Sequence, residues 1–295
     1  CVIIYNYGMH GAGILHGKRG YYMPTTYAHY KFGKEVMSAL PRPLQNAIEN
    51  NRELFDIGLH GPDILFYYRA AVKNRVSGQG YELHEKMADE FFEHAVQVIG
   101  EEDNPAAARA YIYGFICHFA LDSECHNYIE KMIQVSGISH SEIEMEFDRM
   151  LLTDDFINPV RYLATKHIHP TIENARVIAP FFQDLTPETV KKALSSMIFY
   201  HKLLLAPNPG KRKLLFAGMK AAGIYSSMKG MVMSLEPNPQ CRDYCLLLKR
   251  RFAGAVPLAA SLIIQYQKRL FQGGSLPERF HQTFGAGDDW QSLRL

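Results

Sequence analysis

Apolar residues recur every three to four positions along most of this chain, a spacing that predicts helices rather than strands. One helix is expected over 31–40, ending before Pro41. Another is expected over 84–99, where Met87, Phe91, Ala95 and Val98 share a face, and a long apolar one over 106–133, with a break near Cys125. Ser139 followed three residues later by Glu142 is a capping-box pattern, opening a helix that runs to about 152. Further helices are expected over 173–182, 187–205 (Pro187 following Thr186), 213–233 and 243–271. Pro207-Asn208-Pro209-Gly210, Pro237-Asn238-Pro239 and Gly273-Gly274 mark loops. With no alternating strand pattern of useful length and no internal repeat, the expectation is an all-α fold, one multi-helix bundle over 23–295. Residues 1–22, rich in Gly and Tyr and without helical period, read as an N-terminal extension outside the core.

Composition adds little to the class: 47% hydrophobic and 21% charged residues suit a folded globular chain. A net charge of +2 gives no push toward nucleic acid or an anionic surface. The best candidate membrane segment, 253–266, is too short to span and contains Pro257, so it reads as a buried helix. The five cysteines form no C-x-x-C pair and read as reduced, buried thiols. Together with the lack of a secretory signal pattern, they point to a cytoplasmic protein, secretion staying open should the chain begin further upstream.

The thirteen histidines are roughly twice average usage, which directs attention to metal-ligand spacing. His118 and Asp122 are four residues apart, as are His140 and Glu144, and that spacing sets both side chains on one helix face. Imidazole with carboxylate suits Zn²⁺. A lone pair of this kind is more often a surface ion pair. Here, though, His118 and Asp122 lie in the apolar run Tyr113-Gly-Phe-Ile-Cys-His-Phe-Ala-Leu-Asp122, where an unpaired carboxylate is expensive to bury. His126 extends the series to H-x-x-x-D-x-x-x-H.

These residues, with His29 in Tyr27-Ala-His-Tyr-Lys-Phe-Gly33, Asp63 in Gly61-Pro-Asp-Ile-Leu-Phe-Tyr-Tyr68, and His84 ahead of Phe91-Phe92, occur in the order seen in the zinc-dependent phospholipases C. The chain resembles that family from about residue 23 to 150, and the related single-strand-specific zinc nucleases share the fold and cluster. The resemblance implies two to three zinc ions in one helical bundle. Asp63, His84, His118 and Asp122 correspond to the ligands of one ion, and Asp122 bridges to a second held by His29 and the mature N-terminal residue. His126, His140 and Glu144 correspond to the ligands of the third. Two features depart from the pattern: the step from Asp122 to His126 is shorter than in secreted members, and Trp290 is the only tryptophan, whereas the family begins its mature chain with one. Pro24, exposed if Met23 were trimmed, is the expected terminal ligand here. His94 is the rival of His84; His60 is either structural or a partner behind the ligands; His167 and His169 are expected at a helix end in solvent.

The implied activity is hydrolysis of a phosphodiester, most directly a phospholipid headgroup, by a metal-bound hydroxide, with Asp63 orienting or deprotonating the water. Tyr67 and Tyr68 are candidate walls for the substrate, with core packing as the alternative. Residues 211–229, basic and apolar without an acid, are a candidate amphipathic helix for peripheral membrane contact, or an ordinary solvated face. Two other readings stand beside this one. One is a zinc nuclease or general phosphodiesterase on the same cluster. The other is a non-catalytic helical binding protein held together by closed four-coordinate zinc sites.

Overall fold

The computed structural model describes residues 26–287 and 289–295. The extension over 1–22 and the chain start expected at Pro24 therefore lie outside the described residues. Among these no strand forms, only an isolated bridge between Met87 and Thr283, so the all-α expectation holds. Helices α1 (Tyr27–Ala39), α2 (Arg42–Glu49) and α3 (Arg52–Gly58) lead into a 3-10 turn, Gly61–Tyr67. Then come α4 (Arg75–Glu85), α5 (Ala88–Glu101), α6 (Pro105–Ser136) and α7 (His140–Asp154). The remainder holds α8 (Ile172–Ile178), α9 (Pro187–Leu204), α10 (Pro209–Ala221), the single turn α11 (Tyr225–Met228) and α12 (Arg242–Gln272).

Helix α6 is the axis of the bundle. It is apolar on nearly every side from Ala107 to Leu121, as a helix surrounded by others must be, and it packs against α1, α3, α5 and α12. Pro105 occupies its first turn, the Asn104 side chain accepts from the Ala107 N–H, and Gly137 ends it in the left-handed conformation at φ 71°. The break expected near Cys125 does not occur. No Gly or Pro interrupts 115–136, and Cys125, Ile129 and Met132 stay buried in line.

Helix α3 crosses α6 at two glycines. A Cβ on Gly58 would fall 2.1 Å from the Tyr111 carbonyl oxygen, and one on Gly114 would fall 2.2 Å from that of Phe55. This backbone contact delivers the 3-10 turn that follows α3 onto the middle of α6, at His118.

Four expected helices differ in the structure: the one over 31–40 begins a turn earlier, at Tyr27, and so carries His29. The one over 84–99 is two: α4 ends at Glu85, Lys86 and Met87 are extended, and α5 begins at Ala88. Met87 is exposed and bridges to Thr283, while Phe91, Ala95 and Val98 face the core. The helix over 173–182 stops at Ile178 and continues as a 3-10 turn through Pro180. That over 213–233 starts at Pro209, capped by the Asn208 side chain, and stops at Ala221, where Gly223 at φ 71° turns the chain.

The main core runs from Tyr27 to Phe284, and a satellite core forms around Leu204, Met219, Met231 and Val232. Among the described residues no helix is long and apolar enough to cross a membrane.

Candidate metal centre

Five elements meet over the middle of α6. Helix α1 brings His29, the 3-10 turn Asp63, α4 His84, α6 itself His118, Asp122 and His126, and α7 His140 and Glu144. In three groups the ligand atoms all lie within 4.8 Å of one another: His29 with His118 and Asp122, Asp63 with His84 and His118, and His126 with His140 and Glu144. Asp122 stands at the centre. Its Oδ1 is 3.3 Å from His29 Nε2, and its Oδ2 is 3.0 Å from His118 Nε2, 3.8 Å from His126 Nδ1 and 3.9 Å from His84 Nε2. Asp63 Oδ1 is 3.1 Å from His84 Nε2, and Glu144 Oε1 is 3.1 Å from His140 Nε2.

Two imidazoles are oriented by backbone carbonyls. His84 Nδ1 donates to the Gly80 oxygen at 2.7 Å, and His126 Nδ1 donates to that of Phe284 at 2.8 Å. In the neutral ring each bond fixes the tautomer and leaves Nε2 as the lone-pair nitrogen facing the cluster. Behind His140, the Glu130 carboxylate lies 3.8 Å from Nδ1.

The electrostatics describe a place that attracts positive charge. Burial opposes ionisation of Asp122, but His118, His126 and His29 outweigh it and hold the carboxyl well below its usual range. Burial likewise opposes Glu144, and His140 with His126 brings it down to about 2. Burial works against protonation of His126 and His140; Asp122 and Glu144 override it at His126, to about 10, and Glu144 foremost at His140, to about 9. His29, by contrast, is pushed down to about 4 by burial and then by His118.

These donors fit zinc. The set is imidazole and carboxylate, and several buried atoms have no hydrogen-bond partner among the described residues: His29 Nδ1, Asp63 Oδ2 and His118 Nδ1. Such atoms are rare in a folded interior unless something else satisfies them.

The other candidates divide. His94 is exposed, bonded to the Pro180 carbonyl at 3.3 Å, and lies apart from the cluster, so it is His84 that joins it. His60 is buried beside His29, its Nε2 2.7 Å from His167 Nε2. His167 is therefore not in solvent as expected but buried, stacked on Tyr30 at 4.0 Å; His169 is exposed. Tyr67 is fully buried and no substrate wall, its hydroxyl 3.0 Å from His201 Nε2, while Tyr68 is partly exposed under Lys192. Cys241 and Cys245 are buried free thiols, and Glu124 pairs with Arg279.

Four residues with a part in the site escaped the sequence reading: Glu130, Asp148, His201 and Phe284. Glu130 sits four residues after His126 and repeats the ligand spacing, a signal that was present. Asp148, four residues after Glu144, repeats it too, whereas His201 and Phe284 bear on the site only through contacts more than a hundred residues apart in sequence.

No curated protein and no solved structure matches the chain. The family model described as zinc dependent phospholipase C matches residues 28–196. That span covers more than half of the chain and every helix that contributes to the cluster, and it places the chain in the zinc-dependent phospholipase C family.

Proposed function

We propose that the chain is a zinc-dependent phosphodiester hydrolase that cleaves a phospholipid headgroup in the manner of a phospholipase C, with two to three zinc ions. The observation that carries this reading is Asp122, a buried carboxylate whose Oδ1 faces His29 of one ligand group while its Oδ2 faces His118, which that group shares with a second, and His84 of the second. A carboxylate so placed would be able to serve adjoining cation sites. Zinc ions bound there would lower the pKa of a water and offset charge building on the phosphoryl oxygens during in-line displacement.

The protein's own groups supply the rest. Asp63 is set at the rim of the cluster by the 3-10 turn, with Oδ1 against His84 and Oδ2 lacking a hydrogen-bond partner. That second oxygen is the one available to orient the attacking water and take its proton. His84 and His126, locked by carbonyls, hold their Nε2 atoms in place without needing to reorganise.

The test is elemental analysis joined to a side-by-side assay. Protein prepared without chelator should carry at least two zinc equivalents and hydrolyse phosphatidylcholine, and chelator should abolish the hydrolysis. Asp122→Asn should lose at least one zinc and all phosphodiester hydrolysis, whereas His94→Ala keeps both. Less than one equivalent of any transition metal would overturn the proposal. Hydrolysis of single-stranded nucleic acid alone would transfer it to the nuclease reading.

A further inference from the structure

The near-neutral net charge hides an asymmetry. From 189 to 235 the chain has no Asp or Glu, yet it holds eight of the 32 Lys and Arg; all 30 acidic residues lie elsewhere. Within this segment the body of α9 sits in the main core through Val190, Leu194 and Met197, while its last turn joins α10 and α11 in a lobe on the satellite core, beyond the residues shared with the family.

The surface of the lobe is not the one expected from an unbroken amphipathic helix over 211–229. Phe216, Met219 and Tyr225 turn inward to the satellite core. Arg212 donates to the Ala206 and Met233 carbonyls, and Lys211 to those of Lys202 at 2.9 Å and Leu205 at 2.7 Å. Outward where α9 meets α10 stand instead Phe199, Leu203 and Leu214, which are 59%, 40% and 75% exposed; Leu235, the last residue of the segment, is exposed as well. Phe199 and Leu203 are one turn apart at the end of α9. Lys211 ties the first turn of α10 to that same end, and Leu214 follows it by one turn. Lys202 and Lys213 stand exposed beside them.

We infer that this lobe docks on an anionic lipid bilayer, with Phe199, Leu203 and Leu214 entering the headgroup–acyl boundary and the surrounding lysines facing lipid phosphates. A cationic surface with protruding apolar side chains is what such a boundary attracts, and no acid in the segment opposes it. Nucleic acid is the weaker partner, since two of the three protruding side chains are aliphatic and offer bases no stacking face. The lobe is also tied to the chemistry. Helix α9 packs on the 3-10 turn that carries Asp63, and its His201 meets the Tyr67 hydroxyl one turn from that carboxylate. Docking would therefore set the cluster at a fixed height over the bilayer. The purpose of the docking rests on the phospholipid reading, but the binding itself does not.

The experiment separates binding from hydrolysis. Full-length zinc-loaded protein is cosedimented with phosphatidylcholine vesicles with and without phosphatidylserine, and hydrolysis is measured on a monomeric short-chain phospholipid. Wild-type protein should prefer the anionic vesicles and release as salt rises. The triple variant Phe199→Gln/Leu203→Gln/Leu214→Gln and the double variant Lys202→Glu/Lys213→Glu should each partition at least about tenfold less, with unchanged melting temperature and unchanged hydrolysis of the monomeric substrate. Equal wild-type binding to neutral and anionic vesicles, or wild-type-like binding by both variants, overturns the docking. So does a preference for single-stranded nucleic acid that the same variants lose. Vesicle binding without hydrolysis of the monomeric phospholipid leaves the docking standing and overturns the phospholipase reading instead.

Discussion

At Gly61 the backbone has φ 47°, and a Cβ would fall 2.3 Å from the ring of His118. The residue combines a left-handed conformation that only glycine adopts at little cost with close approach to the imidazole shared by two ligand groups. Gly61→Ala should therefore displace His118, or the turn that carries Asp63, while the hydrophobic core stays intact. The expected outcome is a folded protein with near-normal helical circular dichroism that retains at least one zinc fewer by elemental analysis. Full zinc content would show that the turn yields without moving the ligands.

Among the elements, α1 has no side-chain cap of its own at Thr26. Its first N–H groups are met from α7, where Asp148 accepts from Tyr27 N at 3.0 Å and Ala28 N at 2.8 Å. Asp148 lies one turn after Glu144, so a single helix both supplies a candidate ligand and fixes the start of the helix that bears His29. Burial pushes the Asp148 carboxyl up to about 7, with the two N–H groups pulling the other way. Removing it leaves two buried donors unmet, so Asp148→Ala should lower unfolding free energy by about 2–3 kcal/mol in denaturant titrations. On the proposed zinc assignment, it should also weaken metal binding at the His29 group more than at the group of His126, His140 and Glu144. Equal loss of all zinc would point to general unfolding rather than a misplaced α1. The long helices α6 and α12 were legible because their periodicity runs for eight or more turns. The short α2 and α3 were not, because eight and seven residues are too few for a repeat to show, and α4 was missed although Asn74 and Ser77 form a capping box at its start.

For the molecule as a whole, acid stability follows from histidines held neutral inside. His167 is lowered from 6.5 to about 3, by burial first and then by His201 and Arg52. Above pH 6.5 it is uncharged in both folded and unfolded chains and adds no pH dependence. Between about 6.5 and 3 the unfolded chain takes up the proton first, so stability falls as pH falls through that window. With zinc in excess throughout, wild-type protein should lose melting temperature over this range more steeply than His167→Gln. Parallel pH profiles for the two would remove His167 from the account.

Sequence alone was enough for the helical class and for the chemistry of the candidate ligands. Helical periodicity is local, and four-residue spacing sets His118 with Asp122, and His140 with Glu144, on one face wherever the helix goes. It could not decide what distant segments bring to one another. His84 rather than His94 joins the cluster because α4 ends where it does. His167 and Tyr67 are interior because α1 and α9 close over them, and Phe284 orients His126 across 158 residues. The outward face of the basic lobe was likewise hidden, since the same amphipathic residues turn inward or outward according to which neighbour buries them. Contacts of that range depend on the packing of the whole bundle, and only the tertiary structure settles them.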